Sequence, residues 1–338
     1  MIENKHIPVM LNEVESFIPK DKKLNIIDAT FGGGGYSKSL LQNFNIEKLI
    51  AIDRDPISEV FAKELINNFD NFTLINGRFS QIDKLVLKQK NTKKNDFDII
   101  IFDLGVSSNQ IDNSSRGFSF KSDGPLDMSM DNETPKVSEI INRYPEKKLA
   151  EIIYKFGEER FSRKIASNIV RARQTKLIES TTELAKLIKS AYNIKQTKKS
   201  KIDPATKTFQ AFRIKVNNEL EELSYALEDT KKLLLPGARL VVITFHSLED
   251  KIVKNFFNFY SNLRNKPSRY FPSYEEKTIL FNLKNKKPIQ PDDSEIKNNI
   301  RSRSAKLRYA IRNNDGFFYP TEFKEKFINY FELEGSRL

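Results

Sequence analysis

Short apolar runs separated by amphipathic stretches set the rhythm of the first hundred residues. Leu24, Ile26 and Ile27 make one run, Leu49-Ile50-Ala51-Ile52 a second, Phe72-Thr73-Leu74-Ile75 a third and residues 97–102 a fourth. Their length and their β-branched members predict buried strands. A short helix is expected over residues 12–17, behind a segment kept extended by Pro8. Ser37-Lys38-Ser39-Leu40-Leu41 opens another helical pattern, and Ile57, Val60, Phe61, Leu65 and Phe69 recur at helical spacing behind Pro56. Four strand–helix repeats in so short a stretch predict a parallel, doubly wound α/β sheet.

The alternation then stops. Residues 104–131 form a long segment rich in Ser, Asp and Gly, and structureless segments of that length are usually functional. Three helical patterns follow, carried by Leu149/Ile152/Ile153/Phe156, by Phe161/Ile165/Ile169 and by Leu184/Leu187/Ile188/Ala191. A basic run from Lys195 to Lys201 closes this part, so residues 112–204 read as a helical insertion. Phe212, Val216, Leu220, Leu223 and Leu227 then line one face of a long helix stopped by Pro236-Gly237. Residues 239–245 are the expected fifth strand, with His246 at its end, and residues 304–311 could pair as a final edge strand.

The chemistry gathers where the expected strands end. Four glycines, Gly32 to Gly35, follow the first strand and open a helix, which lets backbone approach a nucleotide beneath a helix N-terminus. Asp53 ends the second strand about 20 residues further on, where an acid can hydrogen-bond ribose hydroxyls. A dinucleotide loop would carry a third spaced glycine, but Ser37 or Lys38 stands at that position. S-adenosylmethionine, bound by a glycine loop after strand one and an acid ending strand two, fits better. Asp28, Phe79, Asp103 and His246 occupy other strand ends. Phe79 can lie against adenine or simply fill the core, and Asp103 can present a catalytic loop to the methyl group or cap a turn.

Composition narrows the field. The chain has no cysteine and only two histidines, which excludes disulfides, thiolate zinc sites and a zinc deaminase. It also excludes methylation of a base carbon through a cysteine adduct. Net charge is +12 over 338 residues, as expected of a protein that meets phosphate, although a lysine- and asparagine-rich composition supplies the same excess. No apolar run approaches the roughly 20 residues of a membrane span, and the start lacks the layout of a signal peptide, so a cytoplasmic protein is expected.

Longer blocks stand in order along the chain. They are His6-x-Pro-Val, Asp-Ala-Thr-Phe-Gly-x-Gly-Gly, Ala-Ile-Asp-Arg-Asp-Pro, Asp-Leu-Gly-Val-Ser-Ser-x-Gln, Arg-Gly-Phe-Ser-Phe-x-x-Asp-Gly-Pro-Leu-Asp-Met, Gly-Glu-Glu-Arg-Phe, Pro-Ala-Thr-x-Thr-Phe-Gln-Ala and Phe-His-Ser-Leu-Glu-Asp. Together they resemble the bacterial 16S ribosomal RNA (cytosine-N4)-methyltransferase family, the MraW/RsmH type, from His6 to about Arg308. The resemblance implies a Rossmann-like class I S-adenosylmethionine-dependent methyltransferase sheet over residues 1–111 and 205–338. Residues 112–204 would be an inserted helical domain that helps recognise RNA. It implies methylation of the exocyclic N4 amine of a decoding-site cytidine in the small ribosomal subunit. The cofactor positions it carries over are Gly34, Gly35, Tyr36, Asp53, Phe79, Asp103 and Gln110, and Tyr36 departs from the histidine usual there. An acceptor must sit beside the amine; Asp103 and Asp127 are candidates and His246 a weaker one. An NAD-dependent oxidoreductase and a non-enzymatic assembly factor are the competing classes. They would be separated by which cofactor binds and by whether RNA is methylated.

Overall fold

A computed structural model describes residues 8–193, 202–261, 279–313 and 323–335. Seven strands form one sheet: β1 (Leu24–Asp28), β2 (Ile46–Asp53), β3 (Phe72–Asn76), β4 (Phe97–Asp103), β5 (Leu234–Thr244), β6 (Phe281–Asn282) and β7 (Lys306–Arg312). Their order is β3-β2-β1-β4-β5-β7-β6. The first five run parallel, while β7 pairs antiparallel with β5 and β6 antiparallel with β7. This is a Rossmann-like sheet, as expected. The order reverses between β1 and β4, and ligands of open parallel sheets bind beyond the carboxyl ends of strands at such a switch point.

The apolar runs explain the layering. All seven β4 residues except the terminal Asp103 are buried, as expected of a central strand covered on both faces. Ile26, Leu49, Ala51, Ile99, Ile101, Val241 and Ile243 pack on one face with Val14, Tyr36, Leu40 and Leu65 from the flanking helices. Phe256, on helix Ser247–Tyr260, meets Phe281 and Phe323 at ring-centroid distances of 5.7 and 5.4 Å.

Three expectations change. The stripe from Phe212 to Leu227 spans two helices, Ala205–Asn217 and Glu219–Thr230, because Asn218 turns left-handed with φ 51°. Asparagine tolerates that conformation. Pro236-Gly237 lies inside β5, which begins at Leu234, so the stop falls after Thr230. The last strand, β7, is not the edge, because β6 covers its outer side.

The chain divides into two compact units. One comprises the chain to Gly105 and Glu222–Phe327, and carries the sheet; the other comprises Val106–Glu221 and Ile328–Leu338. Helix Ala205–Asn217 therefore belongs to the second unit, and the dividing points lie at Gly105 and Glu221, not at residues 111 and 204. Inside that unit, helices Glu146–Gly157, Ser162–Arg173 and Thr181–Lys189 carry most of the three apolar stripes read from the sequence, burying Leu149, Ile152, Ile153, Phe156, Ile165, Ile169, Leu184 and Ile188, while Phe161 and Leu187 stay half-buried. Helix Val137–Arg143 was not anticipated, since only Val137, Ile140 and Ile141 mark its buried face.

Candidate active site

The glycine loop is shaped by close contacts. Gly32 and Gly34 have φ of +54° and +78°, and Gly34 is the residue before helix Gly35–Asn43. A Cβ on Gly35 would sit 2.4 Å from a Pro8 ring carbon, so Pro8 packs against the loop only because position 35 is glycine. His6 itself lies outside the described residues. Tyr36 is 4% exposed and its hydroxyl donates to the Val9 carbonyl. The side chain therefore anchors the segment at Val9.

Asp53 sits at the end of β2, and both its oxygens are already held. Oδ2 accepts from the Gly32 N–H at 2.6 Å and Oδ1 from the Asp55 N–H at 2.8 Å. Each oxygen has a second lone pair, so the carboxylate is fixed in orientation and can still accept two ribose hydroxyls. Burial pushes it up to about 6 despite those bonds. Phe79 opens the turn after β3 and stands edge-on to Phe102 with centroids 5.9 Å apart. It is half-buried.

At the switch point lie two more acids. Asp28 ends β1, is 1% exposed and accepts from the Ser37 hydroxyl at 2.7 Å; burial pushes it up to about 6. Asp103 ends β4, and its N–H donates to the Thr30 hydroxyl at 2.7 Å, tying the ends of β1 and β4 together. Its Oδ1 is buried without a hydrogen-bond partner among the described residues. Burial first, then the carboxylates of Asp28 and Glu249, push its pKa well above the usual carboxylate range. A buried acceptor left without a partner calls for an explanation, and at a strand end beside the glycine loop a catalytic or ligand-binding role is one. Thr30 and Ser37, which hold this arrangement, were not read as site residues; their hydroxyls next to a strand-ending acid were the available signal.

His246 is engaged elsewhere. It caps helix Ser247–Tyr260: Nδ1 accepts from the Glu249 N–H, and Nε2 lies 3.1 Å from a Glu249 carboxylate oxygen. The His-x-x-Glu spacing is thus a capping box rather than an acid–base pair.

Gln110 and Asp127 belong to the second unit. The Gln110 carbonyl oxygen accepts from the Ser107 N–H at 2.9 Å while the Ser107 hydroxyl caps the Gln110 N–H, which accounts for Ser-x-x-Gln in the motif. Asp127 accepts from the Ser129 N–H at 3.0 Å and from its hydroxyl, and pairs with Lys136 at 3.2 Å. Burial alone would raise it, but those bonds and the Lys136 ammonium hold it below the usual range. It reads as a loop clasp. Gly117 and Gly124 complete that loop, since a Cβ on either would lie about 2 Å from the Pro125 or Ser114 carbonyl oxygen.

Relatives decide among the classes still open. Residues 3–313 match the model of the MraW methylase family. The chain belongs to that family. Curated relatives include the ribosomal RNA small subunit methyltransferase H of Rickettsia bellii, 45% identical over 317 residues, 91% of this chain and 99% of that one. The protein of the same name from Methylorubrum extorquens is 43% identical over 310 residues, covering 91% and 86%. A solved rRNA methylase from Streptococcus thermophilus overlays at a TM-score of 0.39 and 11% identity over 93% of this chain and 99% of that one, too loose a likeness to add weight. The protein is therefore an S-adenosylmethionine-dependent methylase. The glycine loop, the oriented Asp53 and the orphaned Asp103 oxygen fit that cofactor. No helix among the described residues is long and apolar enough to cross a membrane.

Proposed function

We propose that this protein methylates the exocyclic N4 amine of a decoding-site cytidine in 16S ribosomal RNA of the small ribosomal subunit. The observation that carries the reading is the buried, unpartnered Oδ1 of Asp103, an acceptor held at the end of β4 next to the glycine loop. Bound S-adenosylmethionine supplies an electrophilic methyl group on a sulfonium. The backbone at Gly34, Gly35 and Tyr36 cradles the cofactor, Asp53 takes its ribose hydroxyls and Phe79 lies against its adenine. Gln110 is assigned to the same set on the resemblance alone.

Asp103 is proposed to face the amine. Cytosine N4 is a weak nucleophile because its lone pair is delocalised into the ring. An acceptor aimed at the amine N–H localises that pair and takes up the proton shed as the N–C bond forms. A carboxylate whose pKa is raised by burial suits proton capture, and Asp103 meets that requirement better than Asp127, whose carboxylate holds Ser129 and Lys136, or His246, whose Nδ1 caps its own helix. Alignment supplies most of the acceleration, on the order of 7–11 kcal/mol for well-oriented reactants. The absence of cysteine is consistent with a heteroatom target. The target base must be unstacked to reach the site, and the unit containing the helical insertion is proposed to hold the RNA that presents it. Small-subunit RNA methylated in vitro with labelled cofactor, digested to nucleosides and fragmented, should carry the label on the base. A methyl that leaves with the ribose would refute the proposal.

A further inference from the structure

Around Asp103 the protein has gathered negative charge with little to offset it. Asp28 ends β1, which pairs in parallel with β4 so that Asp28 stands opposite Ile101, two residues before Asp103, and the Asp103 N–H bonds the Thr30 hydroxyl just beyond; Glu249 adds its charge from helix Ser247–Tyr260. Asp53, at the end of β2, faces Asp28 in turn. Tyr36 faces both Asp103 and Asp28 and is itself held neutral, its hydroxyl pushed well above its ordinary value by burial first and by those acids next. His246 lies against Glu249. Asp28 accepts from the Ser37 hydroxyl and from the backbones of Thr30 and Ser37. No lysine or arginine among the described residues forms an ion pair with Asp28, Asp53 or Asp103. Neighbouring carboxylates in such surroundings cannot all ionise cheaply, so the cofactor-free site keeps a proton that water-exposed acids would lose.

A permanent cation changes that balance. The sulfonium of S-adenosylmethionine cannot titrate, whereas the thioether of S-adenosylhomocysteine is neutral; the two are otherwise alike in ribose, adenine, ammonium and carboxylate. We propose that Asp28 and Asp103 act as a charge discriminator, which expels a proton when the sulfonium form binds and keeps it when the thioether form binds. The inference rests on the cofactor assignment above and extends it to how substrate and product are told apart. It gives the protein a reason to gather three strand-end acids where one ribose-binding acid would suffice. It also lets the spent product bind without the charge pairing that holds the donor.

The linkage has a definite sign. Because the donor prefers ionised carboxylates, lowering the pH through their raised titration range makes donor binding displace a proton. The ratio of donor to product affinity should then fall by up to about tenfold per pH unit for one proton, and level off at higher pH. Isothermal titration at pH 6.5 in two buffers of different ionisation enthalpy counts the protons released by each ligand, without any turnover. The donor should release more than the product, and Asp103→Asn and Asp28→Asn should each shrink the difference. Equal proton release for both ligands across pH 6–8 would overturn the discriminator while leaving the cofactor assignment intact. Failure of wild type to bind either ligand would overturn both.

Discussion

Replacing Asp53 by alanine should weaken S-adenosylmethionine binding by on the order of 1.5–3 kcal/mol, the range for charge-assisted hydrogen bonds. The same change releases the Gly32 N–H, so part of the loss comes from a loosened glycine loop. Calorimetric titration of a folded variant with unchanged affinity would refute the β2 assignment. Asp28 makes a second prediction. Burial carries it from 3.8 to about 6, so the folded state holds a proton that the unfolded state has lost. Its stabilising contribution is complete below about pH 4 and is lost as pH rises through about 6, a swing of about 3 kcal/mol. Denaturant midpoints of the cofactor-free wild type should therefore fall over that window more steeply than those of Asp28→Asn; parallel curves would count against the burial argument. At this scale the sequence was informative about position and silent about engagement. Asp53 and Asp103 were legible as strand-ending acids. That His246 caps its own helix, that Gln110 closes a capping box and that Asp127 clasps a loop depend on hydrogen bonds that no spacing rule distinguishes from catalytic geometry.

Among the elements, strands were read most reliably, because β1, β4 and the Leu49–Ile52 stretch of β2 are buried apolar runs, while β3, at the sheet edge, is a short run of β-branched and apolar residues. The long stripe from Phe212 to Leu227 misled because a single left-handed Asn218 redirects the chain while the apolar spacing continues on either side. The segment after β4 also looked structureless. It holds its shape through backbone contacts, with the Met128 N–H donating to the Arg116 carbonyl at 3.0 Å and the Asn217 side chain bonding the Met128 carbonyl at 2.8 Å. Gly117 is the most exacting position there, with φ +69° and room for no Cβ beside the Pro125 carbonyl oxygen. Gly117→Ala should destabilise the protein by about 2 kcal/mol or more, from strain and from displaced loop backbone. Chemical denaturation would show this as a lowered midpoint with an unchanged slope. An unshifted midpoint would mean the loop is not held as described.

For the whole molecule, the relevant quantities are charge and RNA. With a net charge of +12, binding to ribosomal RNA should weaken steeply with salt as counterions are no longer released. Lys198, Lys199 and Lys201 lie outside the described residues, and their contribution is a prediction from sequence alone. Neutralising all three should flatten the log–log salt dependence of RNA binding; an identical slope would rule the run out as a phosphate contact. The discontinuous organisation was legible in outline, because strand alternation stops after Asp103 and resumes near Arg239. The dividing points were not, since helix Ala205–Asn217 carries the same kind of apolar stripe as a sheet-covering helix but buries it in the other unit. The central claim, methylation of one cytidine at N4, is tested most directly by mass mapping of nucleosides in small-subunit RNA from cells with and without this chain. Loss should remove N4 methylation from a single decoding-site cytidine, and re-expression of the wild type should restore it. An unchanged N4-methylcytidine content at that site in the deletion strain would contradict the account.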